Sequence, residues 1–479
     1  MAVSLRRRGT GVLALAMAGG LSLAAAAPAG AAANTAPAYY QGVTSSNVLS
    51  VALNLPIALP GVPQHLAVNL IGVTGKAVHN TLSTVNATTS SESTATLASG
   101  NLTDQLGLSK TIKASLSGVQ SAASDGLSIP ASTTQGLLSL NVGPLRAKVG
   151  QLANTSSAEL LNADVLNLGA LLGAKTNGAT TTLVKTVQDN VSAIQTQVQN
   201  TLNNVVSQVN SAVNSVAPNS AASQTLDQVQ TAVQTVQDKV NTVLNQVLNT
   251  GNTSVLKVQT LTSAQNIAPA GSAAKATADT VLANLDLLSG LVTVKGFESH
   301  ATAIANGKSG GAAASFSGHK PIVAVGTPVL TAALDENGLS LSNVAGLPSS
   351  VSDTVNGALA QLQSVLNTVL GTLGVSLNYV PGHIDPKTDT AGGKYAGATG
   401  PEYDITVANP TDHTQAIAVV GLGHGTTASV SAAQATRVLH PSNPQLGKLP
   451  HTGANLPIIA GGGLAFLLGA AYLRRRVTA

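Results

Sequence analysis

Gly307-Lys308-Ser309-Gly310-Gly311 is the stretch whose residue types come nearest to doing chemistry, and its spacing can be read two ways. A Gly-Lys-Ser ending belongs to a phosphate-cradling loop only if a glycine stands five residues before it, and that place holds Thr302. The G-x-S-x-G spacing fits a nucleophilic serine on a strand-to-helix elbow, yet Ala312 to Ser317, soon broken by Gly318, is too short to supply the helix. A glycine turn is therefore expected. Gly421-Leu422-Gly423-His424-Gly425 lacks the spacing of a nucleotide loop and is expected to be a turn as well. In Asp385-Pro386-Lys387-Thr388-Asp389, Lys387 occupies a place where a calcium loop needs an oxygen ligand, and no glutamate stands at the twelfth position, so a solvated loop is expected.

The nine histidines include no H-E-x-x-H and no H-x-H pair. His383, His413 and His424 fall near predicted strand ends, where only folding could assemble a metal or catalytic group. The acids Glu92, Asp104, Asp125, Glu159, Asp335, Glu336 and Glu402 are dispersed, and a glycosidase pair would also need the fold to bring two together. With no cysteine, disulfides, thiol chemistry and thiolate metal sites are excluded. No catalytic, cofactor-binding or metal-ligating set is visible, and the expectation is a protein that is not an enzyme and holds no cofactor.

The most specific pattern marks chemistry done to this chain. Leu449-Pro450-His451-Thr452-Gly453 precedes an apolar run over 454–473, and Arg474, Arg475 and Arg476 follow it. About twenty residues at 1.5 Å each span roughly 30 Å, the hydrocarbon thickness of a bilayer. The arginines stop translocation and stay cytoplasmic, which puts the pentapeptide just outside the membrane. Pro457 and Gly461-Gly462-Gly463 weaken this run as a permanent helix and suit a temporary hold. A GPI signal also ends in an apolar tail, but carries no basic cluster after it.

That order resembles the sorting signal of LPxTG sortase-anchored Gram-positive cell-wall surface proteins. The resemblance covers some thirty residues and identifies no ectodomain family. It implies that Leu449, Pro450, Thr452 and Gly453 are read by a sortase transpeptidase. The sortase cysteine attacks the Thr452 carbonyl, the Thr452–Gly453 bond breaks, and Thr452 passes to an amine of the peptidoglycan precursor. Arg474, Arg475 and Arg476 then act as the stop-transfer group. The implied partners are the sortase, peptidoglycan bonded covalently through Thr452, and the membrane, held transiently by 454–473. No extracellular ligand is named by the sequence.

The front end agrees. Arg6-Arg7-Arg8, the apolar run from Val12 to Ala27, and small-residue cleavage sites at Ala31 and Ala33 read as a signal peptide over 1–33. The chain carries 23 basic and 19 acidic residues; without Arg6–Arg8 and Arg474–Arg476 the balance is 17 to 19. The basic pI therefore belongs to the targeting ends and implies no nucleic-acid partner. Between those ends the aromatic residues are Tyr39, Tyr40, Phe297, Phe316, Tyr379, Tyr395 and Tyr403, too few for base-stacking platforms or sugar-stacking clefts.

The elements that position these residues read as an α+β, antiparallel β-rich ectodomain with an inserted long antiparallel helical hairpin and a C-terminal transmembrane sorting tail. The divisions are a β-rich region 34–176, the hairpin 177–251, a β-rich region 252–345, a helix plus strands over 346–440, a spacer 441–448 and the sorting signal 449–479. Pro56, Pro60 and Pro63 predict short or edge strands near Ser50–Pro60 and Leu66–Val73. Leu160 to Gly173 reads as either a strand or a short helix. Valines at spacings of three and four run from Val184 to Val216 and from Leu226 to Val247, with Pro218 between them. Two readings stand for this hairpin: an insertion packed along the β domain, or a projecting stalk or oligomerisation arm. If the strands before and after it pair, it is an insertion into one discontinuous domain. Ser349-Ser350 is expected to cap a helix that lies across the sheet and ends at Gly374. The spacer, fully extended, reaches at most roughly 25–30 Å. The function expected is a secreted, wall-anchored, non-enzymatic adhesion or structural protein; the alternatives are an anchored hydrolase and an uncleaved single-span membrane protein.

Overall fold

The structure is a computed structural model that describes residues 37–54, 65–80, 88–99, 111–150, 153–167, 178–249, 254–318, 322–325, 327–335, 338–344, 347–389, 392–409 and 412–434. The expected signal peptide, spacer and sorting tail lie outside them, as do Pro56, Pro60 and Pro63. Among the described residues no helix is long and apolar enough to cross a membrane.

Two antiparallel sheets are built in an interrupted order. β1 (Tyr39–Asn54), β2 (His65–Asn80), β3 (Thr88–Ser99) and β4 (Thr111–Ser115) begin the first. β5 (Ser121–Ser124), β6 (Leu127–Ile129), β7 (Leu138–Val142), β8 (Leu145–Val149) and β9 (Asn154–Asn167) begin the second. Helices α1 (Gly178–Asn214) and α2 (Ala221–Leu248) follow. The second sheet then resumes with β10 (Ser254–Ala270), β11 (Ala273–Leu287), β12 (Val292–Ala305), β13 (Ala312–Ser317), β14 (Ile322–Val325), β15 (Thr327–Asp335) and β16 (Gly338–Leu341). After α3 (Ser349–Thr372), the chain returns to the first sheet as β17 (Val375–Val380), β18 (His383–Ile384), β19 (Tyr395–Thr399), β20 (Glu402–Asn409), β21 (Asp412–Leu422) and β22 (Thr427–Ala433).

The first sheet runs β17-β20-β21-β1-β2-β3-β4, the second β16-β15-β14-β12-β11-β10-β9-β7-β6. β9 and β10, which flank the helical hairpin, pair from Ser254 opposite Asn167 to Ile267 opposite Asn154. β1 has two neighbours on one side: β22 along Tyr39–Ser45 and β21 along Leu49–Leu53. β1 and β2 are each 16 residues long and central, so the expectation of short or edge strands at Ser50–Pro60 and Leu66–Val73 is corrected. Leu160 to Asn167 is the end of a strand, not a helix.

A crease crosses the second sheet. Between Leu160 and Asn162, Gln259 and Leu261, Leu282 and Asn284, and Lys295 and Phe297, one residue per strand is skipped in the pairing: Leu161, Thr260, Ala283 and Gly296. Each extra residue reverses the alternation, so the buried positions of β10 change from Leu256 and Val258 to Leu261, Ser263, Gln265 and Ile267. The same face stays inward because all four strands shift together. In β1 the buried set changes likewise, from Thr44 and Ser46 to Leu49 and Val51.

The crease divides the space between the sheets into two storeys. On one side lie Tyr40, Ala77, Ile267, Ala274, Ala276, Ala301, Ala303, Ala396, Ala398 and Ala428, a core of small side chains that lets the sheets approach closely. A Cβ at Gly75 would stand 2.2 Å from the Gln265 amide oxygen, and one at Gly42 would stand 2.6 Å from Ile267. Near the crease a buried polar layer joins the sheets. Thr44 donates to Gln265 at 2.8 Å, whose amide donates to Ser93 at 3.0 Å and Ser156 at 2.9 Å, and Thr280 meets Thr426 at 3.0 Å. A buried hydroxyl needs a partner; Thr44 and Ser93 find theirs in Gln265 on the opposite sheet, and Ser156 finds the same amide on the neighbouring strand.

On the other side larger residues and the helices share one core: Leu49, Leu53, Leu160, Leu285 and Val294 with Val205, Val236, Leu244 and Leu366. Pro218 and Asn219, at φ +62°, turn the chain, and the Ser220 hydroxyl caps α2 by accepting the Ser223 N–H at 3.1 Å. The valine seam of α1 and α2 is flanked by amide pairs: Gln237 donates to Asn203 at 2.7 Å, Gln230 to Asn210 at 2.7 Å, Gln195 to Asn245 at 3.4 Å. Their partners descend as α1 ascends, so the hairpin is antiparallel. α3 packs against α1, with Asn204 donating to Gln361 at 3.0 Å, so it does not simply lie across the sheet. Its N-cap is Pro348 without a side-chain cap, which corrects the expected capping by Ser349-Ser350, while Gly374 at φ +70° follows its C-terminus as expected.

Candidate functional site

Leu449, Pro450, Thr452, Gly453, Arg474, Arg475 and Arg476 lie outside the described residues, as do Asp104 and Glu336. Of the remaining candidates, the structure assembles one group. His424 sits in the turn between β21 and β22, where Gly423 at φ +70° and Gly425 at φ +68° supply the left-handed conformations the turn needs. Its Nε2 lies 3.3 Å from an Asp404 oxygen and 3.5 Å from Glu402. Glu402 also accepts the Gly425 N–H at 3.1 Å, and the His424 carbonyl accepts the Asn47 N–H at 3.0 Å. Glu402 and Asp404 are two apart on β20, so strand alternation puts both on one side. The Asp404 hydrogen bond and the two carboxylate charges raise the His424 pKa to about 9, against the opposing effect of burial.

With its Nε2 turned toward two carboxylates, the imidazole is placed to hold a proton between them. The group is a charged clip that closes a turn. His300 repeats the arrangement on the second sheet: Nδ1 lies 2.8 Å from Asp279, its cross-strand neighbour, and Nε2 lies 3.3 Å from Glu298. The Asp279 hydrogen bond leads in raising its pKa, burial opposes, and Glu298 adds to the rise.

The other candidates are dispersed. His383 is exposed on β18 and His413 falls on β21. Glu92 pairs with Lys113 at 2.9 Å, Asp125 is exposed after β5, Glu159 lies on β9 and Asp335 ends β15. Among the described residues no group of three or more His, Asp and Glu is placed to hold a metal ion.

Gly307 to Gly311 is the hairpin turn between β12 and β13, closed by Gly311 N–H donating to Lys308 O at 2.9 Å. Asp385 serves its own loop: one oxygen accepts the Lys387 N–H at 2.9 Å and the other accepts the Tyr395 hydroxyl at 2.7 Å. The fold brings these two loops together, with the Gly307 N–H donating to Gly393 O at 2.6 Å. Nothing in the sequence links them, because the contact is made between sheets. The aromatic residues Tyr40, Phe297 and Tyr403 are fully buried, and Phe297 meets Tyr403 across the sheets with ring centroids 6.1 Å apart. No family model matches the chain, and no curated protein matches it at a significant level.

Proposed function

We propose that this chain is a secreted surface protein, anchored covalently to peptidoglycan by a sortase, whose β-rich ectodomain serves adhesion or surface structure without catalysing a reaction. One observation carries the reading: LPHTG, an apolar run of membrane-spanning length and three arginines stand in that order over 449–479. The signal-peptide pattern over 1–33 supports it. In this reading 454–473 crosses the membrane only until Thr452 is transferred to the wall. The polar residues between the two ends are mostly Ser, Thr, Asn and Gln, which suits a weakly charged display surface.

Digestion of purified cell wall with a muramidase, followed by mass spectrometry, tests this directly. The expected C-terminal peptide ends at Thr452 and carries a muropeptide. A product intact through Ala479 and extractable by detergent overturns the anchoring.

A further inference from the structure

The outer face of the second sheet carries, at its crease, a shallow concavity of about 510 Å³ that is largely open to solvent. Leu161 and Thr260, the two skipped residues of β9 and β10, stand opposite each other at its wall. Both depart from what a plain solvated surface would choose. Leu161 is a large apolar side chain left 40% exposed. Thr260 is β-branched and held at φ +50°, a left-handed conformation that such a residue rarely adopts unless its surroundings enforce it.

Two rows of hydrogen-bonding side chains cross the sheet here. Asn162 and Gln259 are paired in register, and Gln259 is paired in turn with Asn284, whose amide donates to it at 3.3 Å. In the next row Lys257 lies between Asp164 and Asp286. These groups are held in place: Ser254 donates to Asp164 at 2.5 Å, and Gln259 donates to Asp286 at 3.4 Å. One ammonium between two carboxylates leaves the row net acidic, which disfavours an anionic ligand. Amides, a carboxylate and an ammonium side by side offer donors and acceptors alternately, as a neutral ligand with many hydroxyls requires, and Leu161 offers a C–H surface beside them.

We propose that this concavity binds a neutral polyhydroxylated ligand, a saccharide of one or two rings, with Asn162, Gln259, Asp164 and Lys257 bonding its hydroxyls and Leu161 packing on a ring face. The site is independent of how the chain is anchored. Chitobiose and maltose, titrated separately into the purified full chain by calorimetry, are the probes. Saturable binding with Kd on the order of 1 mM is expected for at least one of them, and their ratio distinguishes an N-acetylated from a plain glucan source. Asn162→Ala and Gln259→Ala each weaken it by about 10-fold, the loss of one good hydrogen bond, with an unchanged thermal midpoint. Thr302→Ala, on the outer face beyond the crease, binds as the parent does. Because both amide variants are exposed or half-exposed, Leu161→Ser serves as a third variant should either fail to fold. Absence of saturable binding to both sugars overturns the proposal, and so does unchanged affinity in the folded variants.

Discussion

At the scale of single residues, His424 shows how a motif-like glycine run becomes a structural clip. Its charge is stabilised only in the folded chain, where Asp404 and Glu402 face it, so the folded pKa near 9 exceeds the ordinary histidine value of about 6.5. A raised folded pKa contributes stability that is fully present below the unfolded value and is lost as pH rises through the folded one. His300, raised by Asp279 and Glu298, acts in the same direction. The thermal midpoint should therefore fall between about pH 6.5 and pH 9, and His424→Asn should flatten part of that slope without abolishing it, which calorimetry across the pH range will check. The Gly-His-Gly turn was legible in the sequence. Its partners were not, because Glu402 and Asp404 are some twenty residues away and only the pairing of β20 with β21 brings them near. Two acids at alternate positions of a strand, followed by a histidine in the next turn but one, was the available signal.

At the scale of elements, α2 was the most legible piece. Leu226, Val229, Val233, Val236, Val240, Val243 and Val247 keep one helical period, and all seven are buried. Leu244, outside that series, is buried as well, and it packs into the core the helices share with both sheets. Leu244→Ala should cost about 2–5 kcal/mol, as large-to-small changes in tight cores do, measured by urea unfolding; a cost under about 1 kcal/mol would mean that the hairpin packs loosely. The strands were harder to read for a physical reason. A run such as Ser254 to Leu261 alternates only in part because Thr260 is an extra residue that reverses the phase. A periodicity search expects one phase per strand and sees two short weak strands where there is one long creased one. Proline misled in the same way: Pro56, Pro60 and Pro63 follow β1 and precede β2 in sequence, and neither strand contains them.

At the scale of the molecule, the β-rich α+β character with three described helices followed from composition and pattern, while the arrangement in two storeys did not. Alanine-rich strands such as Ala273 to Ala278 look too weakly apolar to form a core, yet small side chains on both facing sheets make one by close approach. The pairing of β9 with β10 makes the helical hairpin an excursion from a continuous sheet, and the return of the chain as β17 to β22 makes the second sheet an excursion from the first.

Tyr39, at the start of β1, is paired with Ala433, at the end of β22, on the alanine side of the crease, so the chain enters and leaves at one end while the helices pack with the other. A pull applied through the C-terminal side and resisted at the helical end runs along β22. That strand is clasped by β1 over seven register pairs and by β19 over five. Antiparallel hydrogen bonds lie across the strands, so such a load shears all of them at once instead of peeling them one by one. In single-molecule force spectroscopy, traction along this axis should require a markedly higher rupture force than traction applied across the first sheet from β4 to β17. A tether attached this way makes the last strand a mechanical latch.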